Sequence, residues 1–234
     1  MALLTVDGAL DPTNYVALRD SIVTASLGEP AAVIVNITAL KVPADSAWSA
    51  FLSAYWQVPA KPYVPIALVC ADRAAREAIT RSVVAGFMPV YSTEKAAMKA
   101  LGQLARRKVR RADSQLPPDL TSLRESRRLV REWLTGWSQT KLIPVALVVV
   151  NVFVENVLEH TAGVPLMRIE TDGATATIAV SDDSNAPAVR LPSPASGVDV
   201  SGLAIVDALS RVWGSTPTAS GKTVWAVIGP ENQL

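Results

Sequence analysis

Through the first hundred residues, short apolar runs with strand character alternate with stretches whose apolar positions recur at helical spacing. In order they are LLTVDG (3–8), NYVALRDSIVTAS (14–26), AAVIVNI (31–37), SAWSAFLSAYW (46–56), PIALVCA (65–71), REAITRSVVAG (76–86) and EKAAMKALGQLARR (94–107). This alternation predicts an α/β layer in which helices pack on a sheet. The pattern then breaks. Residues 106–120, RRKVRRADSQLPPDL, combine like charges, polar residues and a Pro-Pro pair, a composition that resists both helix and sheet and reads as a domain boundary. Beyond it, Leu123, Val130, Leu134 and Trp137 recur at helical spacing, with Arg124, Arg127, Arg128 and Arg131 between them. An apolar helix ending near His160 follows. Two alternating segments flanking Gly173, PLMRIETD (165–172) and TATIAVSD (175–182), predict a hairpin or adjacent strands. A Pro- and Ser-rich stretch (185–197) leads to a helix at LAIVDALSRVW (203–213), and KTVWAVIG (222–229) closes as a strand. That order predicts an α+β sandwich with helices on one sheet face. The expected divisions are 1–105, a linker at 106–118, and 119–234.

Composition narrows the picture. Half of the 234 residues are hydrophobic and 18% are charged, which supplies packed cores and excludes wholesale disorder. The single cysteine, Cys70, permits no internal disulfide and no thiolate zinc site, so a reducing, cytoplasmic setting is expected. The start, MALLTVDGALDP, has no basic region followed by a long apolar run, and export is not expected. The run LIPVALVVVNVFV (142–154) falls short of the roughly 20 apolar residues of a bilayer span and leads straight into Glu155 and Glu159, so it reads as a buried helix. Five positive charges at Arg106, Arg107, Lys108, Arg110 and Arg111 sit in a chain of net charge +1. They read as a solvated linker, and neither nucleic acid nor membrane is expected as a direct partner.

The second half carries SRRLVREWLTGW (126–137), NVFVENVLEH (151–160), VSDDS (180–184), SGLAIVDALSRVWG (201–214) and GKTVWAVI (221–228), in that order. From Leu116 onward it resembles the histidine-kinase-like ATPase fold, in its anti-sigma-factor serine kinase branch. The resemblance implies ATP or ADP with magnesium. It places Asn156 as the magnesium ligand, with His160 one turn on along the same helix face, as an amide oxygen suits a hard cation. The bland alternative for Asn156 is a buried amide satisfying a backbone group. The resemblance makes Asp182 the acceptor of the adenine amino group and Thr223 its partner in the adenine pocket; a turn aspartate bonded to local amides is the alternative for Asp182, and a surface strand residue the reading of Lys222. The phosphate-cradling glycine turn falls at Val200-Ser201-Gly202-Leu203, where one glycine of the family's pair is replaced by Val200. Pro187, Pro192 and Pro194 stand where the family has its ATP lid. Four residues before Asn156, where kinase members carry the glutamate that activates the attacking hydroxyl, stands Val152, which cannot accept a proton. Glu155 is one residue from Asn156, a rotation of about 100° on the helix, and points off the face shared by positions 152, 156 and 160. Kinase activity is therefore expected to be impaired.

The first half, LLTVDGALDPTNYVALRDSIV followed by AAVIVNITALKVPADSAWSAFLSAY, is similar to the STAS domain of anti-sigma-factor antagonists. Aligned from Asn36, the loop feeding the next helix puts Ser46 at the phosphoacceptor place, preceded by Asp45. Ser46 as a plain helix N-cap, with Asp45 as an alternative cap, stands level with that reading. Trp48, Tyr55 and Trp56 read as core.

The two resemblances imply a partner-switching regulator of transcription, an anti-sigma-factor and antagonist fusion that binds a sigma factor, an anti-sigma factor or an antagonist. Docking of one module on the other and homodimerisation are further expectations. Two alternatives stay open: an active serine/threonine kinase acting on a STAS-domain serine, and a nucleotide-free protein-interaction scaffold.

Overall fold

The computed structural model describes residues 1–59, 62–104, 109–161, 163–184, 186 and 202–232, with the side chains of Asp45, Gln103 and Leu104 outside that description. The chain divides into two compact units, Met1–Arg107 and Lys108–Leu234.

The first unit is built on four parallel strands, β1 (Ala2–Ala9), β2 (Val33–Lys41), β3 (Ile66–Val69) and β4 (Val90–Tyr91), lying side by side in chain order. Between and after them come α1 (Tyr15–Leu27), a 3-10 turn at Asp45–Trp48 running into α2 (Ser49–Gln57), α3 (Arg73–Arg81), a second 3-10 turn at Val83–Gly86, and α4 (Glu94–Leu104). Strand β3 is buried at every position, as expected of a parallel strand covered on both faces. One sheet face carries Ile34, Ala67 and Val69 against Ala97 and Leu101 of α4. On the same face Asn36 Nδ2 donates to Glu94 Oε1 at 2.8 Å, which ties β2 to the first turn of α4. Tyr55 and Trp56 of α2 are 7% and 6% exposed and meet the ring of Phe87 edge-on, so these aromatics are core. Two features differ from the sequence pattern. Strand β2 continues past Ile37 to Lys41, paired with β1 beyond an irregularity at Thr5–Asp7, and the two-residue β4 gives too short a pattern to read.

The second unit is a five-stranded antiparallel sheet in the order β5-β6-β7-β9-β8. Its elements are β5 (Arg110–Gln115), α5 (Thr121–Gly136), α6 (Ile143–His160), β6 (Leu166–Thr171), β7 (Ala176–Asp182), α7 (Gly202–Leu209), β8 (Val212–Pro217) and β9 (Lys222–Ile228). One core joins Leu129, Val130 and Leu134 of α5, Val149, Val150, Phe153 and Val157 of α6, and Met167, Ile169, Ile178, Val180, Val224 and Ala226 of the sheet. It is an α+β sandwich. Among the described residues, the stretch Thr140–His160 is long and apolar enough to cross a membrane, and half of it is buried inside the protein. The expectation that it is too short is thus corrected, while its reading as a buried helix stands.

The basic stretch needs a larger correction. Arg110–Gln115, expected to resist sheet, is β5, paired with β6 from Arg110↔Thr171 to Gln115↔Leu166. The register explains it: Arg111 faces Glu170 and Asp113 faces Arg168, so charges that look solvated along the chain are opposed across strands. Arg111 Nε lies 2.7 Å from Glu170 Oε1 with both side chains buried, a coulombic contact whose geometry is not that of a hydrogen bond. A second correction concerns residues 210–217. The helix expected to run to Trp213 stops at Leu209, and Val212–Pro217 forms the edge strand β8, where the Trp225 ring of β9 lies against Gly214.

Candidate functional site

The residues singled out in the second unit gather at one end of it. Strand β7 finishes at Asp182, where β9 begins at Lys222 and β6 begins at Leu166, opposite Ser181. The short connection 161–165 brings the C-terminal end of α6, with Asn156 and His160, to that same end. Asn156 is half-buried and makes no side-chain hydrogen bond to another described residue. His160 is the last residue of α6, with 71% of its side chain exposed and Nε2 at 4.0 Å from Glu159. Among the described residues no three of His, Cys, Asp and Glu come together as a metal cluster.

Asp182 and Thr223 point to opposite faces of the sheet, because Thr223 lies opposite Ser181 and Asp182 opposite Lys222. The Thr223 hydroxyl is engaged with Ser181 Oγ at 2.7 Å and is buried. Asp182 Oδ1 accepts two hydrogen bonds, from Lys222 Nζ at 2.9 Å and from the Ser184 amide at 2.7 Å. The Asp182 side chain is 2% exposed and that of Lys222 is 11% exposed. Lys222, read from sequence as a surface strand residue, is therefore the buried counter-ion of Asp182. A turn aspartate bonded to a local amide and a sealed ion pair describe this carboxylate together. Gly221 fixes the spacing: a Cβ there would lie 2.0 Å from the Asp182 carbonyl oxygen.

Val152 is buried in the core and packs against Gly202 at the start of α7, so the position that would carry a catalytic carboxylate faces apolar neighbours. Leu203 is likewise a core residue, 6% exposed. Glu155 accepts from Asn151 Nδ2 at 2.6 Å, and Asn151 Oδ1 accepts from Arg127 at 3.3 Å, a network directed at α5. Val200, Ser201 and the prolines at 187, 192 and 194 lie outside the described residues.

In the first unit Ser46 is exposed within the 3-10 turn Asp45–Trp48. The cap position of that turn belongs to Ala44, and the Ser46 carbonyl accepts from Ser49 Oγ at 2.6 Å. Ser46 is not the N-cap, which removes that alternative and leaves an accessible hydroxyl one turn ahead of α2.

Residues 1–97, which make up most of the first unit, match the family model of the STAS domain. Among solved structures, the crystal structure of the RsbU and RsbW domains of Rv1364c from Mycobacterium tuberculosis is similar at 19% identity and a TM-score of 0.37, over 51% of this chain and 31% of that one. The chain thus spans less than a third of that neighbour. No curated protein matches the chain.

The residues present do not fit an adenine nucleotide held as the resemblance implies. The acceptor carboxylate is neutralised by Lys222 and covered, and the threonine hydroxyl is bonded to Ser181 on the other sheet face.

Proposed function

We propose that the chain is a cytoplasmic partner-switching regulator of transcription, in which the STAS domain and a histidine-kinase-like second unit each present a surface to a protein of the sigma-factor, anti-sigma-factor or antagonist class. The observation that carries this is the STAS match over residues 1–97 together with the exposed Ser46 ahead of α2. A phosphate at Ser46 would add about −1.5 to −2 charges to an exposed surface, enough to alter docking of a partner there. Of the two alternatives, the packing of Val152 and the pairing of Asp182 favour a binding protein over a working kinase.

The test is binding between separately produced fragments 1–107 and 108–234, by calorimetry, with wild-type and Ser46→Glu versions of the first. Saturable binding that Ser46→Glu weakens about tenfold or more supports switching through Ser46. Unchanged affinity removes Ser46 from the surface, and no binding removes docking between the modules.

A further inference from the structure

The pair at the ends of β7 and β9 carries an inference beyond partner switching, resting on the reading of the second unit as a histidine-kinase-like fold. An adenine amino group would reach Asp182 as a neutral N–H donor from solution. Lys222 already donates there as an ammonium, tethered to the neighbouring strand and directly opposite in register. A charged donor makes the stronger hydrogen bond, and a tethered one gives up no translational freedom to make it. Displacing it would strand an ammonium whose side chain is only 11% exposed. Both hydrogen bonds fall on Oδ1, and with the Asp182 side chain only 2% exposed the second oxygen offers little access to a further donor arriving from solution.

We propose that Lys222 is a built-in occupant of the adenine-recognition position of Asp182, closing the second unit to adenine nucleotides so that it works as a nucleotide-independent binding module. Lys222 is then a specificity-determining residue acting through Asp182, and its removal opens the acceptor.

The test uses the full chain with magnesium and N-methylanthraniloyl-ATP, followed by fluorescence. Wild type is expected to show no saturable binding up to millimolar probe. Lys222→Met, verified by a cooperative melt, is expected to gain at least about tenfold in affinity, with ATP competing and GTP not. Saturable binding by wild type that Asp182→Asn abolishes would overturn the proposal while leaving the fold reading intact. Binding by wild type that is indifferent to Asp182→Asn would overturn both. A folded Lys222→Met that gains nothing would show that Lys222 does not gate the site. The wild-type arm decides even if Lys222→Met fails to fold.

Discussion

Val152 of α6 and Gly202 of α7 pack so closely that a Cβ on Gly202 would stand 2.7 Å from Val152 Cγ1. Gly202, which the resemblance expects in a phosphate turn, thus serves a helix–helix contact, and its partner is the residue at the position where the resemblance expects a catalytic carboxylate. Valine is stiff about χ1, so it cannot rotate clear at small cost.

Gly202→Ala should lower stability by about 1–3 kcal/mol through overpacking. Val152→Ala in that background should return part of the loss. Urea denaturation of the two single variants and the double variant gives a coupling energy, and additivity would mean the two residues do not touch.

Val152→Glu should not restore phosphotransfer. Its carboxylate would enter the apolar cluster formed with Phe153, Leu203 and Val206, at a cost of about 2–4 kcal/mol. A thermal melt reads the loss. Transfer of labelled phosphate from ATP to Ser46 reads the chemistry, and phosphorylation above the parent would contradict the expectation.

Arg111 and Glu170 oppose one another across β5 and β6 with side chains 2% and 7% exposed. Arg111→Met alone leaves a buried carboxylate and should destabilise by about 3 kcal/mol or more. Arg111→Met with Glu170→Leu should come much nearer wild type. Were Arg111→Met neutral, β5 would behave as the solvated linker its composition suggests.

Arg211 and Glu231 join the start of β8 to the segment after β9. Hydrogen bonding from Arg211 holds the Glu231 carboxyl at about 2, against an ordinary value of 4.5. A depressed folded-state value means the pair's stabilisation is present above about 4.5 and is lost as pH falls toward about 2. Both groups are exposed, so the effect on global stability is small. Carboxyl NMR should place the Glu231 midpoint near 2, and Arg211→Ala should return it to the ordinary range.

The second unit shows which parts of a fold are legible along a chain. The α5 pattern of Leu123, Val130 and Leu134 and the hairpin of β6 and β7 follow from local periodicity, and both form. Strands β5 and β8 were not legible, for opposite reasons. In β5 the burial of Arg111 depends on Glu170, more than fifty residues away in the chain. In β8 the residues after Leu209 extend a helical pattern that pairing with β9 overrides. Lys222 was missed at the site because strand alternation identifies a face but not the partner opposite.

By itself the sequence determined the two-part organisation, the α/β character of the first unit, the STAS resemblance that the family match bears out, and the identity of the chemical groups available. These are properties of periodicity and residue type, which act over a few neighbouring positions. Only the tertiary structure decided what those groups do for one another. It placed Lys222 on Asp182, set Val152 against Gly202, and paired Arg111 of β5 with Glu170. Register and close approach between distant segments set which donors meet which acceptors, and no local pattern encodes them.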